Sequence, residues 1–260
     1  MKILMCPPTY FDVNYSINPW MTRKRAVKQH IAKTQWQSLM NLIVSLGAEV
    51  ELMQPQKNLP DMVFTANAGL IYKNQVIISD FKYPERQGES QVFKEWFAAN
   101  HFDVIDAIDT FEGAGDGLFV DSKLVLGSGF RSQADINQWI TKMWSINPIA
   151  VELINPYFYH LDTCFCPINE TKALWFPPAF SNESQKKLKA SFELIDVTEH
   201  DANLFACNAV VIDDHIILSS GCHDTATTLE KIGFETHFCE TSEFILSGGS
   251  CKCLTLRLDC

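Results

Sequence analysis

The sequence is short of positive charge: 21 lysines and arginines stand against 31 aspartates and glutamates, a formal net charge of −10. A surface for nucleic acid or an anionic membrane needs clustered Lys and Arg. Neither is therefore an expected partner, and a small molecule is. The opening stretch, MKILMCPPTYFDVNYS, has one lysine followed by Pro7-Pro8 and lacks the apolar run of a secretory leader or spanning helix. The expected location is the cytoplasm. Metal-ligand spacing is missing too. Among nine cysteines, Cys164/Cys166 and Cys251/Cys253 are separated by a single residue, where structural zinc sites usually leave two to four. The cysteine count is odd, and a reducing compartment keeps thiols free, which argues against a disulfide framework.

What is present is a repeat. FTANAGLIYKNQVIIS from Phe64, FEGAGDGLFVDSKLVLGSGF from Phe111 and FACNAVVIDDHIILSSGC from Phe205 each read as a polar or small-residue opening, an apolar strand, a short polar turn and a second apolar strand. A looser copy, YHLDTCFCPINETKALWFPPAF, begins at Tyr159. Thr65, Glu112, His160, Cys207 and Cys253 follow one another at intervals of 47, 48, 47 and 46 residues, the steady period of an array of similar units. Helix-like segments such as RAVKQHIAKTQWQSLMNLIVSLG and ESQVFKEWFAANH, then short strands such as AEVELM, FDVIDAI and FELIDVT, complete each unit. The expected fold is α/β: five units of strand, strand, helix and strand. The last takes its first strand from CLTLRL near the end of the chain and its second from KILMCPP at the start. Closing a five-bladed ring in this way protects sheet edges and makes residues 1–260 a single catalytic domain.

In such a ring the five opening positions converge near the axis, which turns spacing into chemistry. A thiolate with an imidazole beside it is a nucleophile with a proton shuttle, and Cys253 with His160 supplies the pair. In a strand, His160 and Asp162 would share a face, and Glu112 would join them from the neighbouring unit. Two buried carboxylates repel unless a cation lies between them. A planar guanidinium suits two carboxylates better than an ammonium does. For SGGSCKCLTL (247–256) the alternative is simpler, since thiols at i and i+2 can pack as small apolar groups.

Five stretches, INPWM (17–21), PDMVFTANAG (60–69), FEGAGD (111–116), YHLDTCF (159–165) and SGGSCKCLTL, together resemble the pentein-fold enzymes that modify guanidino groups. That superfamily comprises arginine deiminase, dimethylarginine dimethylaminohydrolase, the amidinotransferases and arginine dihydrolase. The resemblance implies a five-bladed α/β propeller, a nucleophile at Cys253, an acid–base at His160 and guanidinium-binding carboxylates at Glu112 and Asp162. It also implies a covalent thiouronium intermediate, with no metal and no organic cofactor. Similar deiminases carry an F-T-R-D pattern, whereas this sequence reads Phe64-Thr65-Ala66-Asn67. With Asn18 in INPWM, Asn67 resembles arginine dihydrolase, which yields ornithine, ammonia and carbon dioxide. Arg86 and Arg131, expected in loops leaving second strands, resemble positions that hold a substrate α-carboxylate, and Asp116 is placed behind the site. The competing expectations are a deiminase or dimethylargininase that stops at citrulline, an amidinotransferase, and a non-catalytic ring binding a larger partner; a homo-oligomer is left open. His200, His215, His223 and His237, and the cysteines other than Cys253, are read as surface or structural.

Overall fold

The computed structural model describes residues 1–22 and 25–259, so Cys260 lies outside the described residues. Five three-stranded sheets are present, each an antiparallel pair extended by a parallel third strand. In chain order the first holds β1 (Lys2–Met5), α1 (Gln29–Ser45) and β2 (Glu49–Leu52). The next comprises β3 (Gly69–Tyr72), β4 (Gln75–Ile78), α2 (Pro84–Ala99) and β5 (Asp103–Asp106). Then follow β6 (Gly117–Val120), β7 (Lys123–Ser128), α3 (Ile136–Trp144) and β8 (Ile149–Glu152). The fourth group is β9 (Phe165–Pro167), β10 (Lys172–Trp175), α4 (Asn182–Ser191) and β11 (Glu193–Asp196). A short helix α5 (Glu199–Asn203) leads into β12 (Val210–Ile212), β13 (His215–Ser219), α6 (His223–Lys231) and β14 (Glu235–Cys239). Helix α7 (Ser242–Ile245) and β15 (Leu256–Arg257) end the chain, and β15 pairs antiparallel with β1. Start and finish of the sequence thus share one sheet, as the repeat predicts.

Local chemistry accounts for these elements. Three hairpins turn through Lys73, Asp121 and Asp213, all left-handed at φ near +50°. The closing pairs Tyr72↔Gln75, Val120↔Lys123 and Ile212↔His215 leave two residues in each turn. This is the primed turn whose twist matches paired strands. Middle strands are covered on both faces, so Val76, Ile77, Leu124, Val125, Ala173, Leu174, Ile216 and Ile217 are all buried in unbroken runs. Helix α1 buries Ala32, Trp36, Leu39 and Ile43 at helical spacing and stops at Gly47, whose φ is +92°.

The openings differ from the sequence expectation. Thr65–Ala68, Gly113–Gly115 and Leu161–Thr163 are single 3-10 turns, and 251–254 is a turn as well. The strand from CLTLRL consequently begins only at Leu256. Asn208 is the cause at that end, since its Oδ1 accepts from the backbone N–H groups of Ser250 (3.0 Å) and Cys253 (3.1 Å) and bends the chain before it can pair. Tight turns leave backbone groups free to bond sideways, and here they bond to the next unit. Leu4 in β1 is fully buried and lies between β15 and β2. Leu4→Ala is expected to cost about 2–5 kcal/mol. In urea denaturation this lowers the midpoint and leaves the slope unchanged.

Candidate active site

The nucleophile candidate sits in the 251–254 turn. Cys253 is 3% exposed. Its Sγ accepts from Asn208 Nδ2 at 3.1 Å and donates to Asp162 Oδ2 at 3.4 Å. Burial pushes the Cys253 thiol well above its ordinary range, and the neighbouring Asp162 charge pushes it further. The resting sulfur is therefore a protonated thiol. Asp162 is raised to about 6, mainly by burial, with partial relief from the Lys252 charge. Its Oδ1 is buried and has no hydrogen-bond partner among the described residues. An orphaned carboxylate oxygen is costly.

His160 has extended backbone, but Asp162 lies within the following 3-10 turn. The strand alternation expected for His160 and Asp162 does not occur. His160 Nε2 instead meets Glu112 Oε2 at 2.7 Å, and the same oxygen accepts from Arg131 Nη1 at 2.9 Å. Burial would raise Glu112, but Arg131 and His160 outweigh it and hold the carboxyl below its usual range. Asp116 takes Ser132 Oγ at 2.6 Å and the Leu161 N–H at 3.0 Å, which seats the turn carrying His160.

A cavity of about 260 Å³ is lined by Cys253, His160, Asn18, Asn67, Arg86 and Arg131 together with Asp61, Tyr159 and the 247–249 backbone. Glu112 and Asp162, expected as its two acidic walls, stand instead behind His160 and Cys253. Arg86 lies in the first turn of α2 rather than in a loop. Its guanidinium is gripped by Glu89 (2.7 and 3.0 Å) and by Asn67 Oδ1 (3.0 Å). Arg131 is stacked between the Tyr83 and Tyr159 rings, 4.7 and 4.5 Å from their centroids. Asn18 braces the rim: its Nδ2 donates to Ser247 O (2.9 Å) and Tyr159 Oη (3.2 Å), while its Oδ1 accepts from Trp20 N (2.9 Å). Gly248 has φ +81°, and a Cβ there would lie 2.7 Å from Tyr159 Oη.

Two residues escaped sequence reasoning. Asp61 is fully buried, accepts from Tyr15 Oη (2.8 Å) and Ser247 Oγ (3.2 Å), and faces the cavity. Asn208 holds the 251–254 turn. The signal for Asn208 was its place one residue past the repeat position at 207; Asp61 lies within the PDMVFTANAG stretch, just before the hairpin from Phe64 and outside the repeat positions. A larger cavity of about 900 Å³ lies at the other end of the first strands, with no acid in its lining. It offers nothing to a guanidinium.

The sequence pattern describing eukaryotic N,N dimethylarginine dimethylhydrolase matches residues 7–259. The chain belongs to that family. Membership makes it a hydrolase acting on C–N bonds of guanidino groups, in the pentein superfamily that the motifs pointed to. Among relatives, the bifunctional arginine dihydrolase/ornithine cyclodeaminase ArgZ of Synechocystis sp. is 42% identical over 99% of this chain, which spans 38% of that protein. The N(G),N(G)-dimethylarginine dimethylaminohydrolase of Mycobacterium tuberculosis is 36% identical over 99% of this chain and 85% of its own length. The crystal structure of the cyanobacterial ArgZ N-terminal domain bound to substrate superposes with a TM-score of 0.96 at 42% identity, covering 99% of this chain and 97% of that one.

Removing the Asp162 charge stabilises the neighbouring thiolate, so the Cys253 thiol shifts downward in Asp162→Asn. Nearby charges commonly move such groups by about 1–3 units. Alkylation by iodoacetamide at neutral pH, followed by peptide mass spectrometry at residue 253, is expected to run about tenfold faster or more in the variant.

Proposed function

We propose that the chain is an arginine dihydrolase with Cys253 as nucleophile, His160 as acid–base, Asp162 and Glu112 as the supporting carboxylates, and Asn18, Asn67, Arg86 and Arg131 around the substrate. The observation that carries this reading is the neutral amide of Asn67 in the cavity wall, held between Arg86 and the Glu112 carbonyl, which it reaches at 3.1 Å. Similar deiminases have a carboxylate there. The arginine dihydrolase relative with which this chain shares its fold and nearly its whole length supports the same choice.

The chemistry follows from the charges. A guanidinium beside Cys253 supplies the positive field that the resting site lacks and lowers the thiol pKa. The thiol proton passes to Asp162, to which Cys253 already donates, the sulfur adds to the guanidinium carbon, and the C–N bond to a terminal nitrogen breaks as a protonated His160 supplies its proton; ammonia leaves. Water then adds to the thiouronium carbon, His160 takes its proton, and breaking the C–S bond releases the ureido product. A second round on the ureido carbon consumes another water, so arginine and two waters give ornithine, two ammonia and carbon dioxide. Arg86 and Arg131 place the α-carboxylate, and Asp61, the remaining acid in the wall, faces the α-ammonium.

Incubation with arginine is expected to release two ammonia per ornithine, measured by amino-acid chromatography and ammonia assay. Asn67→Asp is expected to shift the product toward citrulline, because an added anion holds the cationic guanidinium better than the neutral ureido group. Citrulline as the sole end product would contradict the dihydrolase reading, and turnover restricted to dimethylarginine would replace it with dimethylargininase activity.

A further inference from the structure

On the blade formed by β12, β13 and β14, two histidines that the sequence left without partners come together. His215 opens β13 and is paired in register with Glu235, the first residue of β14; His237 follows two residues later on the same face. His215 Nδ1 and His237 Nε2 are 3.1 Å apart, at hydrogen-bonding distance, and the two Glu235 oxygens flank them, Oε2 3.6 Å from His215 Nδ1 and Oε1 3.6 Å from His237 Nε2. All three ligand atoms fall within 4.8 Å of one another. The side chains are partly open to solvent, 32% for His215, 21% for His237 and 67% for Glu235.

These separations are too long for the carboxylate to hydrogen-bond either imidazole, which needs about 2.7–3.2 Å. They fit three atoms sharing one ion. With metal–ligand bonds of about 2.0–2.2 Å, two ligands at tetrahedral or neighbouring angles stand about 3.0–3.6 Å apart. Pseudo-symmetry gives a second, independent reason. At the equivalent register on two of the other four blades, Lys172 faces Glu193 and Lys2 faces Glu49, and on a further one Gln75 faces Asp103. On the first two a lysine makes an ordinary ion pair, Lys172 with Glu193 and Lys2 with Glu51. On the blade of β12, β13 and β14 imidazole replaces the ammonium, with a second imidazole added beside it. An ammonium cannot bind a cation, whereas neutral imidazole can.

The geometry points to a divalent transition-metal site formed by His215, Glu235 and His237, with its remaining coordination positions open to water. Two imidazoles and a carboxylate select zinc, nickel or copper over magnesium or calcium. Glu235 and His215 are the first residues of β14 and β13, at the hairpin end of the blade, while the nucleophile turn lies beyond the other end of these strands. The ion would staple β13 to β14 without entering the guanidine chemistry, and stabilise the fold by binding only the folded state.

Cobalt(II) titration of the full chain tests this, because cobalt reports its ligands by absorption and separates this site from the cysteines. One equivalent is expected to bind with ligand-field bands and no thiolate-to-cobalt charge-transfer band, and to raise the thermal midpoint. His215→Asn and His237→Asn are each expected to weaken binding about tenfold or more, the cost typical of losing even an outer partner of a metal ligand. Glu235→Gln, a fully surface change, guards against a misfolded histidine variant and should weaken binding in the same direction. Cobalt bound equally well by wild type and by all three variants would overturn the assignment, as would a spectrum carrying only thiolate charge transfer.

Discussion

Five tight turns hydrogen-bonded in a circle hold the site together. Ala66 N–H donates to the Cys253 carbonyl, Asn67 Nδ2 to the Glu112 carbonyl, and Leu161 N–H to Asp116 Oδ1. Asn208 Nδ2 donates to the Asp162 carbonyl, and the Cys253 and Ser250 N–H groups donate to Asn208 Oδ1. Each bond joins one unit to the next, from the fifth to the first and round again. Because these groups are buried, breaking any one of them strands a polar partner. The circle fixes Cys253 and His160, 93 positions apart in sequence, on the wall of one cavity.

The circle also concentrates charge. Asp61, Glu89, Glu112, Asp116 and Asp162 are all at most 2% exposed around it, against two buried arginines, Arg86 and Arg131. Glu112, shared by Arg131 and His160, is held ionised, while Asp116 and Asp162 are pushed up to about 6, burial being the main cause for both. Both arginines are already matched to carboxylates. The site as it stands is thus short of one cation near Cys253, and in the proposed reaction a guanidinium would fill that deficit and activate the thiol. In that proposal, specificity and activation come from the same charge.

Much of this was legible in the sequence because it is periodic. The hairpin turns at Lys73, Asp121 and Asp213, the helix stop at Gly47 and the near-constant spacing of the openings gave the ring and its closure. What spacing could not give was side-chain direction. His160 and Asp162 were expected on one strand face, but the chain turns between them, and Asp162 goes to the sulfur while Glu112 goes to the imidazole. Arg86 was expected in a loop leaving its second strand; Pro84 instead occupies the first turn of a helix that carries Arg86, where the proline's missing N–H costs nothing. Asp61 precedes the first unit and has no counterpart in the repeat, so only three-dimensional contact reveals it. His215 and His237 became a pair only through strand register.

The central claim is that sulfur at residue 253 bonds to the guanidino carbon. Rapid acid quench of the protein turning over arginine, followed by peptide mapping, tests it most directly. The account predicts an adduct on the peptide containing Cys253 with the mass of arginine less ammonia, absent in Cys253→Ser. Ornithine or citrulline formed at an undiminished rate by Cys253→Ser, or an adduct on another cysteine alone, would contradict it.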